Sequence, residues 1–466
     1  MSGCERMRQD MNKLDVNKYR ADYAKSLEWD RPFYLERPAV FSPAAAAQEG
    51  NGACAMMWRF ISMWVPWQYT NFIEESLSYH ETAYLGDWSA LTKFRVKGPD
   101  ALRFLSAHTT NDLSKFSVGQ IKHAIQTNED GKVVGEGILY KISEDEYRYT
   151  GGAAYWLAYW LKEGNWQAEG GIDSPEEFVF VVQGPKSLAI LEKVTGESLR
   201  DIKFSRTRMT RIGSHTVRIL RTGITGELGY EIHAPSDVGN EVWLAIYDAG
   251  AEFGIRRLGG RSMLISHIEG CYPTIGRDFV PATSTKARMS KAHTIDNRGG
   301  SYEWSNPREL MRSPFELGWD REVSLDTHDF MGRDALIAEK NAGGPRRRIV
   351  GLEWSSEDVI AVFAALFQPG AIPAQMDMPR MIHRHALDPD KVLLNGKVVG
   401  CSTSRVYSAF LRKMISLCVI DRELTVPGTK VTVVWGDRGG PQKDIRATVA
   451  KLPFKEDKRR IDVTKL

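Results

Sequence analysis

Two ten-residue stretches far apart in the chain obey one grammar: VKGPDALRFL at 96–105 and VQGPKSLAIL at 182–191. In each, an alternating apolar run meets Gly-Pro, then a polar residue, then apolar residues at helical spacing. Alternation with period two dictates a half-buried strand, and apolar positions at i, i+3 and i+4 dictate an amphipathic helix. Glycine at the junction allows a backbone turn closed to other residues, and the proline after it fixes φ for the step into the helix. Asp100 is then the expected N-cap of the first helix. A chain that repeats strand, tight turn and helix builds two related α/β units, with a ligand site expected between them.

Other segments fill in this frame. GKVVGEGILYKISEDEYRYTG reads as a hairpin with an acidic turn, EVWLAIYDAGAEFG as a helix ended by Gly254, and GGRSMLISHIEG as another helix. From GPRRRIVGLEW onward the chain turns to short strands, with Asn395-Gly396 and Pro427-Gly428 as turn signals, which predicts a small antiparallel barrel or sandwich. Residues 1 to about 55 are polar and then rich in Pro, Ala and Gly, which reads as an arm or loosely packed extension. A length of 466 residues suits two to four domains.

Composition removes several classes of function. A net charge of +3 gives no footprint for nucleic acid or a membrane surface. The one local charge run, KEDKRRIDVTKL, reads as a solvated tail. Cys4, Cys54, Cys271, Cys401 and Cys418 are odd in number and widely spaced, without CxxC, so neither a disulfide framework nor a zinc site is expected, and a reducing cytoplasm is. The apolar stretch at 56–67 contains Arg59 and is too short to span a bilayer. P-loop, GxGxxG, HExxH and GxSxG patterns are all missing. The 13 tryptophans stand out, because clustered indoles either fill a core or offer flat faces to a planar ligand.

The stretch TGITGELGYEIHAP at 222–235 joins three glycines, two acids and an alternating strand. Its glycines read as turns that bring strand backbone close to a ligand. It also belongs to an ordered series: GPDALRFL, NEDGKVV, VQGPKSLAIL, TGITGELGYEI, LGGRSMLISHIEGCYP, SPFELGW, FMGRDAL, NGKVVGCSTS and PGTKVTV. This series resembles the aminomethyltransferase family, typified by the T-protein of glycine cleavage. It is most similar to the tetrahydrofolate-dependent aromatic O-demethylase branch, of the vanillate, syringate and dicamba demethylase type. The resemblance implies an α+β, three-domain cloverleaf around a central folate channel, two related α/β domains and a C-terminal β-barrel-like domain. The expected boundaries are an arm at 1–63, a first domain at 64–172 plus about 276–344, a second at 173–275, and a β domain with a basic tail at 345–466.

The resemblance also implies a site. Glu231 matches the glutamate that hydrogen-bonds the pterin, and a carboxylate suits two parallel N–H donors. Its other reading is an outward strand residue, and Glu227 in the turn is the rival carboxylate. Phe204 and Tyr272 match aromatics beside the folate. Arg261 and Glu269 match positions of ligand contact or of an internal ion pair, Trp319 lines the channel or fills core, and Thr150 stands on the folate side. The donor half departs from the family. Gly135-Glu136 replaces an acidic pair, Gly152 stands where vanillate-type enzymes carry an arginine, and Met263 replaces their tyrosine. Trp64, Trp67 and Trp88 would then shape an apolar pocket for a methoxylated, even chlorinated, aromatic ring. His267, one helical turn after Met263, is the expected proton donor, with His108 and Glu136 behind it. No metal is called for. The implied reaction gives a phenol and 5-methyltetrahydrofolate from two small molecules, without nucleic acid or membrane. The alternatives are a sulfonium or methylamine donor, or a folate-binding assembly factor with Cys271 in its signature.

Overall fold

The computed structural model describes residues 14–27, 38–49, 56–285, 297–377 and 386–466. Cys4 and Cys54, and most of the N-terminal extension, lie outside the described residues. Two sheets carry the repeat. The first runs Ile121–Thr127, Val133–Lys141, Glu146–Gly151, Lys93–Lys97, Glu169–Ile172, every neighbour antiparallel. The second runs Thr207–Ile212, His215–Leu220, Gly229–Pro235, Glu177–Gln183, Tyr84–Asp87, Arg256–Leu258. In both, the strand before Gly-Pro lies beside the last strand of a three-stranded meander.

The two junctions match bond for bond. Gly98 donates its N–H to Asp145 and Gly184 to Leu228, at 2.9 and 2.8 Å. Two residues on, Asp100 donates to the Gln167 carbonyl and Lys186 to that of Thr82. Gly98 and Gly184 have φ of +137° and +128°, and a Cβ on either would lie 2.6 Å from those same carbonyl oxygens. Only glycine fits both the dihedral and the space. Asp100 makes no side-chain cap; its carboxylate takes Arg103 and the Gln167 N–H instead.

One strand lies where local pattern did not place it. Tyr84–Asp87, expected with the first unit, completes the second sheet, with Gly86 opposite Val181. It precedes its sheet in the chain, whereas Glu169–Ile172, in the corresponding place of the first sheet, follows. The two sheets also touch at their edges, through a bridge between Gln120 and Arg206.

Phe94, Phe104, Tyr149 and Trp156 centre the first core; Phe180, Ile190, Tyr230 and Trp243 centre the second. Each such side chain contributes about 1.5–3 kcal/mol on burial, so most of the tryptophan load is structural. The C-terminal unit is a closed six-stranded barrel, from Arg347–Trp354 round to Lys443–Ala450. Asn395 and Gly396 both take positive φ at its hairpin, as the Asn-Gly signal requires.

The tail is packed, contrary to the solvated run expected from its charge. Lys458 N–H donates to the Gly226 carbonyl at 2.7 Å, Arg459 Nη1 to that of Gly223 at 3.1 Å, and Arg200 to the main-chain oxygen of Leu466. Ile461 and Val463 seat against the second core. These apolar residues, interleaved with the charges, turn the run into a strap.

Candidate functional site

All three units, the hairpin Met56–Phe60/Met63–Gln68 and the strap enclose one cavity of about 1640 Å³. That exceeds the ~300–1,000 Å³ usual for one small ligand and suits two bound together. Its apolar end is walled by Trp58, Phe60, Trp88, Leu91, Met263 and Leu264. Trp58 stacks on Phe60 with centroids 5.2 Å apart, and Trp88 and His267 form a T-shaped pair at 6.0 Å. Trp67 lies behind this wall, tilted on Trp58 at 4.9 Å, and Trp64 lies outside the lining, its main-chain N–H donating to the Val40 carbonyl. Of the three tryptophans expected at the donor, only Trp88 reaches the cavity; Trp58, one strand earlier, was missed. Strand alternation tells which hairpin residues share a face but not which face meets the cavity.

At the other end Glu231 lines the cavity from the strand Gly229–Pro235. His233, two residues on and therefore on the same face, holds one carboxylate oxygen through Nε2 at 2.9 Å. The His233 Nδ1 in turn meets the Tyr140 hydroxyl of the first sheet at 3.2 Å. Glu227 lies outside the lining, buried against Lys455 Nζ at 3.0 Å. The glycines of the turn serve a neighbour: a Cβ at Gly223 or Gly229 would strike the Gln183 side chain. Gln183 Oε1 accepts from Thr225 N–H and Oγ1, at 3.1 and 2.8 Å, and so fixes the turn.

Phe204 and Tyr272 line this polar end beneath the strap. The Arg459 guanidinium lies 5.6 and 5.2 Å from their ring centroids, and Arg460 lies 5.0 Å from Phe204. Thr150, Gly152 and Trp319 also line the cavity, and a Cβ at Gly152 would meet Ile275 at 3.1 Å. Arg261 does not: it donates to Gln68 at 3.1 Å and lies over Phe72. Nor does it pair with Glu269, which accepts from Tyr79 and Ser408 and meets His80 Nε2, at 2.9, 2.6 and 3.0 Å. His108 is core, bonded to the Phe104 carbonyl between Trp160 and Trp166.

Two histidines face the cavity with opposite proton habits. His267 Nδ1 lies 2.9 Å from the Met263 carbonyl. A carbonyl only accepts, so Nδ1 carries the hydrogen and Nε2 the lone pair. Burial pulls its pKa below the ordinary value, against the opposing hydrogen bond. His267 thus presents the lone pair of Nε2. His123 Nε2 lies 2.8 Å from Glu136 Oε2. Burial lowers its pKa, but the hydrogen bond to Glu136 and that residue's charge outweigh burial and leave it raised. His123 escaped the sequence reading, although it and Glu136 point to one side of adjacent strands, near the Ile125–Glu136 register pair.

Among the described residues, no three or more His, Cys, Asp or Glu are grouped to hold a metal ion, and no helix is long and apolar enough to cross a membrane. Two α/β units and a barrel thus surround one cavity with an aromatic-walled end and a polar end. Comparison with known proteins gives the family. Residues 45–293 match the GCVT N-terminal domain, and 376–455 the glycine cleavage T-protein C-terminal barrel domain. Sesamin methylene transferase of Sinomonas sp. (strain No.22) is 33% identical over 88% of this chain and 93% of its own length. Syringate O-demethylase of Sphingobium sp. (strain NBRC 103272 / SYK-6) is 29% identical over 84% and 90%. The crystal structure of glycine cleavage system aminomethyltransferase T from Bartonella henselae covers 89% of this chain and 98% of its own, with TM-score 0.68 at 20% identity, a likeness of fold. The chain belongs to the aminomethyltransferase family, a folate-dependent family, and is an enzyme of the methyltransferase class.

Proposed function

We propose that this chain is a tetrahydrofolate-dependent O-demethylase, moving the methyl group of a methoxylated aromatic acid to N5 of tetrahydrofolate to give a phenol and 5-methyltetrahydrofolate. The observation that carries the reading is the division of one cavity into an aromatic-walled end and a polar end. Glu231 suits the paired N–H donors of a pterin edge, with His233 holding it in place. Phe204 and Tyr272 suit the flat middle of the folate, and Lys455, Arg459 and Arg460 its anionic tail. Tetrahydrofolate, when bound, supplies the nucleophilic amine. The chain's task is to hold amine, methyl and ether oxygen in line at about 3–3.5 Å and to manage the protons. Trp58, Trp88 and Met263 would grip the donor ring, chlorinated dicamba-like acids included.

Eight Lys and Arg against five Asp and Glu line the cavity, but three of the cations are those given to the folate tail, so the aromatic wall of the donor end would also take a sulfonium or methylamine donor. An assembly role through Cys271 is disfavoured because burial pushes its thiol up to about 12. A second reading, transfer of a methylene unit, is favoured by the relative named for that reaction at 33% identity. Incubation with tetrahydrofolate and a panel of methoxyaromatic acids and methylenedioxyarenes tests the proposal. It predicts 5-methyltetrahydrofolate; 5,10-methylenetetrahydrofolate would select the second reading, and no one-carbon transfer to folate would refute both.

A further inference from the structure

We infer that His123, seated on Glu136, is the acid that protonates the departing aryl oxygen, and that His267 is the base that receives the proton shed by the acceptor amine. The inference rests on the demethylase reading and assigns its proton path. The geometry sets the roles. Glu136 takes the Nε2–H of His123, so a second proton on that ring sits at Nδ1, and no described residue holds Nδ1. Both His123 and Glu136 line the cavity, with the Trp319 ring edge-on to His123 at 5.6 Å. His267 offers Nε2 as a lone pair, because Met263 fixes its Nδ1–H. Its ring stands edge-on to both Trp88 of the donor end and Tyr272 of the folate end, at 6.0 and 6.3 Å, and so lies where the two ends meet.

The step balances. As the methyl–oxygen bond breaks, its electron pair stays on the oxygen, and His123 supplies a proton from Nδ1. The methyl carbon forms its new bond to the acceptor amine, and His267 Nε2 takes the hydrogen that this nitrogen loses. One proton leaves His123 and one reaches His267 in each turnover, so none is consumed. The charges around each ring agree with this division. Glu136 and Glu322 act on His123 against Arg459, while Glu136 and Asp278 act on His267 against Arg277 and a strongly desolvating wall. Two histidines pushed apart in this way are a recurring acid–base arrangement.

Two measurements test the pair. Nitrogen-15 NMR of histidine-labelled protein, assigned with His123→Gln and His267→Gln, should show His123 as imidazolium at pH 7 and His267 neutral with hydrogen on Nδ1. A neutral His123 or a charged His267 overturns the assignment, whatever the enzyme turns over. In turnover, His123→Gln should slow methyl ethers of poor leaving phenols by ~10²–10⁴-fold and ethers of electron-poor phenols much less. Glu136→Gln should lower the His123 pKa, so that rate lost at pH 7 returns at lower pH. A uniform loss across leaving groups, or a pH profile that Glu136→Gln leaves unmoved, overturns the role of His123 and leaves the demethylase reading standing. Absence of methyl transfer by the unaltered enzyme removes that reading instead, with the NMR result still deciding the two proton states.

Discussion

Glu231→Gln isolates the contact that the proposal assigns to recognition of a pterin. The substitution keeps shape and length, and His233 can still hold one oxygen of the side chain, as it holds Oε2 now at 2.9 Å. What disappears is the charge at the cavity face and one acceptor of the paired N–H donors. A hydrogen bond to a charged group contributes about 1.5–3 kcal/mol, so tetrahydrofolate affinity should fall roughly 10- to 150-fold. Trp88 and Trp319 line the same cavity, and quenching of their fluorescence in an oxygen-free titration reads the affinity directly. Glu227→Gln is the matched control. Its carboxylate is buried against Lys455 outside the lining, so the change should lower the melting temperature far more than it alters folate affinity. Unchanged affinity in Glu231→Gln, or an equal loss in both variants, would refute the assignment of Glu231.

Further outcomes follow from the same geometry. Cys271 lines the cavity half-buried, and with its thiol pushed up to about 12 it should stay protonated and resist iodoacetamide at pH 8 in the native protein; rapid labelling would contradict the raised pKa. Lys93 is held by the carbonyls of Ser89, Leu91 and Ser174, and burial lowers its pKa from 10.5 to about 8. The fold therefore binds fewer protons than the unfolded chain between those values, and stability should rise with pH there by up to ~3 kcal/mol. Denaturant titrations of Lys93→Met should lack that rise. Gly98→Ala and Gly184→Ala should each destabilise by about 1–3 kcal/mol from backbone strain, with a further cost from the clash, measurable as a lower melting temperature. Lys455→Met should cost about 3–5 kcal/mol by leaving Glu227 buried without its cation, again read from unfolding.

The parts legible from sequence are those where a local rule decides the outcome. Gly98 and Gly184 announced the repeat because the same dihedral and the same close approach exclude every other residue. Asn395-Gly396 announced its hairpin in the same way. The place of Tyr84–Asp87 was not legible, because its partners lie near Val181, a long-range pairing that alternation does not encode. Trp64 and Trp67 were placed at the donor for lack of a rule that orients the face of a hairpin. Helical spacing put His267 one turn after Met263, but the hydrogen on its Nδ1 follows from the Met263 carbonyl, a backbone contact that side-chain pattern cannot show. His123 and Glu136 become a pair only once two strands are set in register.

The strap has a consequence for the order in which the molecule is made. Its residues follow both α/β units and the barrel in synthesis, yet Lys455, Arg459 and Arg460 form one wall of the cavity. Every sheet can therefore be complete on a ribosome while the ligand chamber still lacks a side. A chain stopped or clipped just after Phe454 would lose this cationic wall together with the Ile461 and Val463 packing of the second core and the cation buried against Glu227.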